Sequence, residues 1–181
     1  MKLLINFIFV LCCMLLTAQN NSKSSFSNET IKRIHLLSPG FEIEQDLNKN
    51  LSFVGNFGFF PAFYSQGGSL NKRREGIVWA PFIDLQGRYY TNFNRRLDKG
   101  KSIENNSGNF IALKLTNYFP SENDEATTDA LTIAGFVYGI QRTYWDHFHI
   151  NLESGLMADL NAAQNDSFVL PWVSFQLGYT F

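Results

Sequence analysis

The last thirteen residues, Val169 to Phe181, alternate with period two. Val173, Phe175, Leu177, Tyr179 and Phe181 fall on one face of an extended chain, and Ser174, Gln176, Gly178 and Thr180 on the other. Successive strand side chains point to opposite faces, so this segment has one large apolar face and one small polar face. A soluble sheet buries its large apolar face and shows water the polar one. A small closed barrel has little internal room, and the small polar face fits that interior. The large face is then left outside, where only an apolar solvent suits it.

The same two-faced pattern recurs upstream. Residues 146–160 set Phe148, Ile150, Leu152, Leu156 and Leu160 against His147, His149, Asn151, Glu153 and Asp159. Residues 109–119 set Ile111, Leu113, Leu115 and Phe119 against Lys114 and Thr116, and residues 77–93 set Ile77, Trp79, Pro81, Ile83, Leu85 and Tyr89 against Asp84, Gln86 and Arg88. Residues 51–60 and 41–47 repeat the scheme, with Glu42, Glu44 and Asp46 on the polar face of the latter. Residues 131–143 read as a strand of ambiguous facing, with Phe136, Tyr138 and Ile140 assigned outward. These are seven strands of roughly bilayer-spanning length. Single-chain barrels of this kind have an even count, and the weakly patterned stretch 29–38 supplies the eighth. The expected fold is therefore all-β: an antiparallel up-and-down transmembrane β-barrel of eight strands over residues 29–181.

Connection lengths sort the two ends. Short turns at 48–50 and 145–146 share the end of the C-terminus, and longer loops at 61–75, 120–130 and 161–168 share the other. The long basic connection 94–107, with Arg95, Arg96, Lys99 and Lys101, falls at the short-turn end by the same parity. Interface belts of amphipathic rings are expected from Tyr89, Tyr144, Trp145, Tyr179 and Phe181 at that end and Trp79 at the other.

The opening residues give an address. Lys2 precedes an apolar run from Leu3 to Leu16, broken by Asn6, and the chain then turns polar. Such a run is a signal-peptide core, shorter than the ~20 residues of a spanning helix. We expect a cleaved leader over 1–19 and a flexible segment over 20–28; a retained anchor or a lipoprotein modified at Cys12 or Cys13 are the alternatives. Both cysteines lie in the leader, so the remaining chain holds no disulfide, thiol nucleophile or cysteine-ligated metal. Charged residues make up 17% and the net charge is −1, which argues against nucleic-acid binding.

The polar faces collect Glu42, Glu44, Asp84, Arg88, Lys114, His147, His149 and Glu153 into one expected lumen. Charges enclosed there must be paired or hydrated, so an ionic plug is the first reading and an ion-sensitive pore the second. His147 and His149 share a face about 7 Å apart and could chelate a metal with Glu153 or Asp159, but we assign no metal and no cofactor. A hydrolase needs nucleophile and base within hydrogen-bond reach, and no serine is placed beside either histidine. Lys72, Arg73 and Arg74 in the first long loop are candidates for contact with glycolipid phosphate.

Two resemblances add to this reading. The ending Phe175-x-Leu177-x-Tyr179-x-Phe181 resembles the C-terminal insertion signal of outer-membrane barrels, which implies handling by the barrel-assembly machinery. Residues 87–96, the Lys99-Gly100-Lys101 and 105–110 segments, Tyr138 to Arg142 and Leu152 to Leu156 are together similar to a pattern in small uncharacterised outer-membrane barrels of Bacteroidota. That resemblance implies an outer-membrane location with lipid and glycolipid as surroundings, and carries no activity with it. The function expected is that of a small non-enzymatic barrel serving envelope integrity, surface interaction or minor transport. A lipid-modifying barrel enzyme and a soluble periplasmic lipid-binding barrel are the competing readings.

Overall fold

The computed structural model describes residues 29–66, 74–123, 126–162 and 169–181. The leader 1–19 and the segment 20–28 lie outside them. Eight antiparallel strands close into a ring: β1 (Thr30–His35), β2 (Gly40–Asn48), β3 (Leu51–Gln66), β4 (Arg74–Tyr90), β5 (Asn109–Tyr118), β8 (Leu131–Tyr144), β9 (Phe148–Asp159) and β10 (Val169–Thr180). Neighbours in sequence are neighbours in the ring, and β1 closes it by pairing Arg33 with Thr180 and His35 with Gly178. A two-residue pair, β6 (Ser121–Glu122) with β7 (Thr127–Thr128), forms a small hairpin between β5 and β8.

Facing follows the period-two pattern. Lys114 and Thr116 are buried while Ile111, Leu113 and Leu115 are exposed; Asp84, Gln86 and Arg88 are buried while Ile83, Leu85 and Tyr89 are exposed. The ambiguous strand resolves the same way, with Phe136, Tyr138 and Ile140 outside and Ile133, Val137 and Gln141 inside. Phe136 is 73% exposed and Val173 70% exposed, whereas Arg33, Glu44, Arg88 and His149 are 0% exposed. The protein is therefore inverted relative to a soluble domain, which hides apolar side chains and almost never buries charge without a partner.

β1 stops at His35, where a strand over 29–38 is expected, and boundaries differ at three further places. The hairpin β3–β4 runs to Gln66 and back from Arg74, pairing through Gln66↔Arg74 where a loop over 61–75 is expected. Pro61 opens the expected loop, but its backbone nitrogen faces away from β4, so no ladder bond is lost there. β4 ends at Tyr90, and Phe93 belongs to a short helix, α1 (Phe93–Leu97). β9 begins at Phe148, because Trp145 and Asp146 take positive φ (51° and 67°) in the turn and leave His147 outside the strand.

The basic connection 91–108 is folded against the end of the barrel. Phe93 stacks on Tyr90 with ring centroids 4.5 Å apart. Asn106 Nδ2 donates to Asp46 Oδ1 at 2.7 Å, and Arg142 Nη1 donates to the Gly108 carbonyl at 2.7 Å. Its length closes one mouth of the barrel, and its basic residues are spread over the outer side of that cap.

One glycine has a packing requirement that can be tested. Gly139 pairs with Phe110 across β5 and β8, and a Cβ there would run into the Phe110 ring. Phe110 is fully buried and lies under the Arg88 guanidinium, 4.7 Å from its ring centroid. We expect Gly139→Ala to cost about 1–3 kcal/mol through overpacking, read as a lower urea midpoint at unchanged slope.

Candidate functional site

The lumen holds one continuous hydrogen-bonded ion network in two storeys. The lower storey is built by β1, β2, β3, β4 and β8 near the capped end. Arg33 Nη1 meets Glu42 Oε1 and, at 2.7 Å, Glu44 Oε2, while its Nη2 donates to the Asn105 carbonyl of the cap at 2.8 Å. Glu44 also accepts from Ser52 Oγ and, at 2.6 Å, from the Tyr90 hydroxyl. Gln141 Nε2 donates to the Asn105 and Asn106 carbonyls at 3.3 and 3.2 Å. The cap is thus tied to the charges it covers.

Arg88 joins the storeys. Its Nε donates to Gln86 Oε1 at 2.8 Å and its Nη1 to Gln141 Oε1 at 2.9 Å. Its Nη2 lies 3.4 Å from both Glu42 Oε2 and Glu153 Oε1. The planar fork of a guanidinium can serve several acceptors at once, and here it spans β2, β4, β8 and β9. In the upper storey Lys114 Nζ bridges Glu153 Oε2 at 2.6 Å and Asp84 Oδ2 at 2.8 Å. Asn151 Nδ2 links Glu153 to Gln176 at 3.0 and 3.2 Å.

The structure brings Glu42, Glu44, Asp84, Arg88, Lys114 and Glu153 into this network, with His149 buried beside it. It does not bring in His147. That residue lies exposed in the 145–147 turn, stacks on Tyr179 at 4.7 Å, and sets its Nδ1 2.9 Å from the Thr180 carbonyl. The lumen assignment of His147 is corrected on that ground, and with it the chelating pair. Beginning the strand at 146 put His147 in phase with His149, whereas the turn takes it out. The partner of His149 inside the barrel is His35, with ring centroids 5.8 Å apart.

Arg33 and His35 are the lumen residues that sequence reasoning missed. Both stand on β1, whose alternation places Ile31 inside and Lys32 outside and so reads as weak. The usable signal was Arg33 and His35 in phase with Ile31 on a strand already required by parity. Tyr90, Phe110 and Met157 are further inward residues that an inward-polar pattern passes over. Of the insertion-signal residues, Phe175, Tyr179 and Phe181 are exposed on the outer face and Leu177 is half-buried there. Lys72 and Arg73 lie outside the described residues, and Arg74 starts β4.

Chemically the charges of the network are paired rather than free, although Arg33 Nε, Asp84 Oδ1 and Asn151 Oδ1 are buried with no hydrogen-bond partner among the described residues. Three cations, Arg33, Arg88 and Lys114, face four carboxylates, Glu42, Glu44, Asp84 and Glu153, and every one of them is in an ion pair. The ring nitrogens of His35 and His149 have no hydrogen-bond partner among the described residues, although His35 Nε2 approaches Glu42 Oε2 at 3.4 Å. Neither histidine is hydrogen bonded to a serine or threonine, as an activated nucleophile would require.

No family model matches the chain, and no curated protein matches it. Among solved structures it is similar to the N-terminal β-barrel domain of Pseudomonas aeruginosa OprF, at 11% identity and a TM-score of 0.41, over 84% of this chain and 93% of that one.

Proposed function

We propose that the chain is an integral outer-membrane barrel that acts as a closed, non-enzymatic element of the cell envelope. The observation that supports this most is the inversion of the wall: a continuous apolar exterior around a lumen of paired charges. Soluble proteins rarely expose apolar patches beyond a few hundred Å². Here β2, β3, β4, β5, β8, β9 and β10 each expose large apolar side chains, while β1 exposes Ile34 beside Lys32. No edge of the lower wall is open, which is the condition for crossing a bilayer with strands.

The ionic plug argues against a diffusion pore. Salt-bridged side chains from β1, β2, β4, β5 and β9 meet across the axis, and the 91–108 connection closes one end. An eight-stranded ring is narrow enough to be filled by such side chains.

The test is fractionation with heat-modifiable gel migration, followed by conductance in planar bilayers. We expect the folded form in the outer-membrane fraction, a mobility shift on boiling, and no stable open channel. A soluble periplasmic form would overturn the membrane reading, and a steady conductance would overturn the closed lumen. Protease added to intact cells should leave the 94–101 segment uncut, since the proposed topology puts the cap on the periplasmic side.

A further inference from the structure

The wall of the ring is not level. At its upper limit β1 pairs with β10 through His35↔Gly178, and β2 pairs with β3 through Gly40↔Gly58. Above those pairs Leu36 N donates to the Leu177 carbonyl and Phe59 N to the Pro39 carbonyl, and there the ladders stop. Among the described residues, 60–66 of β3 and 169–176 of β10 then rise with a ladder on one side only. A strand tilted by about 40° gains roughly 2.5 Å of height per residue, so the β1–β2 turn ends some 14 Å or more below the neighbouring rims. The result is a notch two strands wide in the side of the barrel, at the long-loop end.

Both edges of the notch are protected against strand addition. In an antiparallel ladder alternate residues direct their N–H groups to the same side. Phe59 directs its N–H toward β2, so Pro61 and Phe63 face the notch. Leu177 faces β1, so Phe175, Val173 and Pro171 face the notch from the other side. Pro61 and Pro171 each remove a donor from the edge, a device that prevents pairing with a further strand. The other free edge among the described residues, on β4, is treated differently. Phe119, just past β5, donates its N–H to the Pro81 carbonyl at 2.8 Å, and the β6–β7 hairpin lies beyond it with Asn123 Nδ2 donating to the Ile77 carbonyl at 3.3 Å.

The interior behind the notch changes character. Above the Lys114 storey the inward residues include Val78, Ala80, Phe82, Ile133 and Met157, all buried, with buried Thr116 level with Ile133 and Tyr118 packed against Phe60 and Phe82. Phe60 and Tyr64 on β3 and Trp172 on β10 are the inward aromatics on the two flanking strands, with Tyr64 over Gly76 of β4. Trp172 packs against the cluster containing Ile133 and Met157, and its indole Nε1 is buried with no hydrogen-bond partner among the described residues. The rim outside is apolar as well, with Leu36, Leu37, Phe63, Val173 and Phe175 exposed.

We propose that the notch admits an acyl chain of an outer-leaflet lipid, seated between Phe60 and Trp172 against the apolar upper lumen. Backbone N–H groups of Phe63, Val173 and Phe175 face the notch, and leaving such groups unsatisfied in hydrocarbon is costly. The ester or amide carbonyls at the head of a lipid chain supply acceptors for them and for the Trp172 indole N–H. An incoming β-strand is excluded by the two prolines, and a hydrophilic solute by the apolar rim. The inference rests on the membrane reading above.

The test uses single-tryptophan reporters in bilayers of phosphatidylcholine with brominated acyl chains, with heat-modifiable migration as the check of folding. One reporter keeps Trp172 and carries Trp79→Phe and Trp145→Phe. The other places Phe136→Trp, an outward position in a wall paired on both sides, in a chain with all three native tryptophans replaced by phenylalanine. We expect both to be quenched, Trp172 by at least half as much as the Phe136 reporter. Ser174→Phe, which narrows the inner side of the notch, should restore at least half of the lost Trp172 emission. Quenching of the Phe136 reporter alone would overturn the notch and leave the membrane reading standing. Quenching of neither would overturn both. Trp172 quenching that Ser174→Phe leaves unchanged would overturn the notch as the route.

Discussion

Arg88→Met should lower the stability of the folded barrel by about 3–5 kcal/mol, the cost of removing one partner from a buried ion pair. Methionine keeps much of the aliphatic stem, so the loss comes from charge and hydrogen bonds rather than from a cavity. Glu42 and Glu153 each lose a cation 3.4 Å away, and Gln86 and Gln141 each lose a donor. Arg33 still serves Glu42 and Glu44, and Lys114 still serves Glu153, so the network is weakened at its junction rather than abolished. Arg88→Lys should fall between the two, because an ammonium restores charge but cannot fork across four strands. The readouts are the urea midpoint in lipid micelles and the temperature at which the heat-modifiable band converts. A change under about 1 kcal/mol for Arg88→Met would mean that the carboxylates are hydrated and that the lumen holds water, against the closed plug.

Much of this fold is legible in the sequence because a membrane-type barrel writes its pattern in a single period. Phe175, Leu177, Tyr179 and Phe181 show it most plainly, and Ile111, Leu113 and Leu115 repeat it. The pattern fades where a residue answers to something other than the wall. Lys32 points outward on β1 beside the buried Ile31, so the strand is found by parity rather than by alternation. His147 copies the phase of His149 but belongs to a turn whose positive φ values break that phase. Pro61 opens the expected loop 61–75 and is instead an edge residue, tolerated because no described strand pairs on that side. Single lumen charges are legible from facing, whereas their partners are set by shear between strands distant in sequence. Glu44 with Gln141, and Gln86 with Glu153, are such pairs.

Lys114 gives the sharper test of what the charges are for. Lys114→Met leaves Asp84 and Glu153 enclosed without the ammonium that holds them 2.8 and 2.6 Å away, and we expect a loss of about 3–5 kcal/mol. Gln86 and Asn151 remain as donors to these carboxylates but carry no charge to offset theirs. The triple replacement Asp84→Asn, Lys114→Met, Glu153→Gln removes the charges together and should recover most of that loss, since replacing a whole buried ionic group is often neutral or better. The gap between the single and triple variants, measured from urea midpoints, isolates the penalty of unpaired charge from the worth of the group. Should the triple variant match the parent in stability yet conduct in planar bilayers, the ion pairs are kept to close the lumen. Should it stay closed, side-chain volume alone seals the barrel. If Lys114→Met itself costs less than about 1 kcal/mol, Asp84 and Glu153 are reached by water, and the upper storey is not a dry plug.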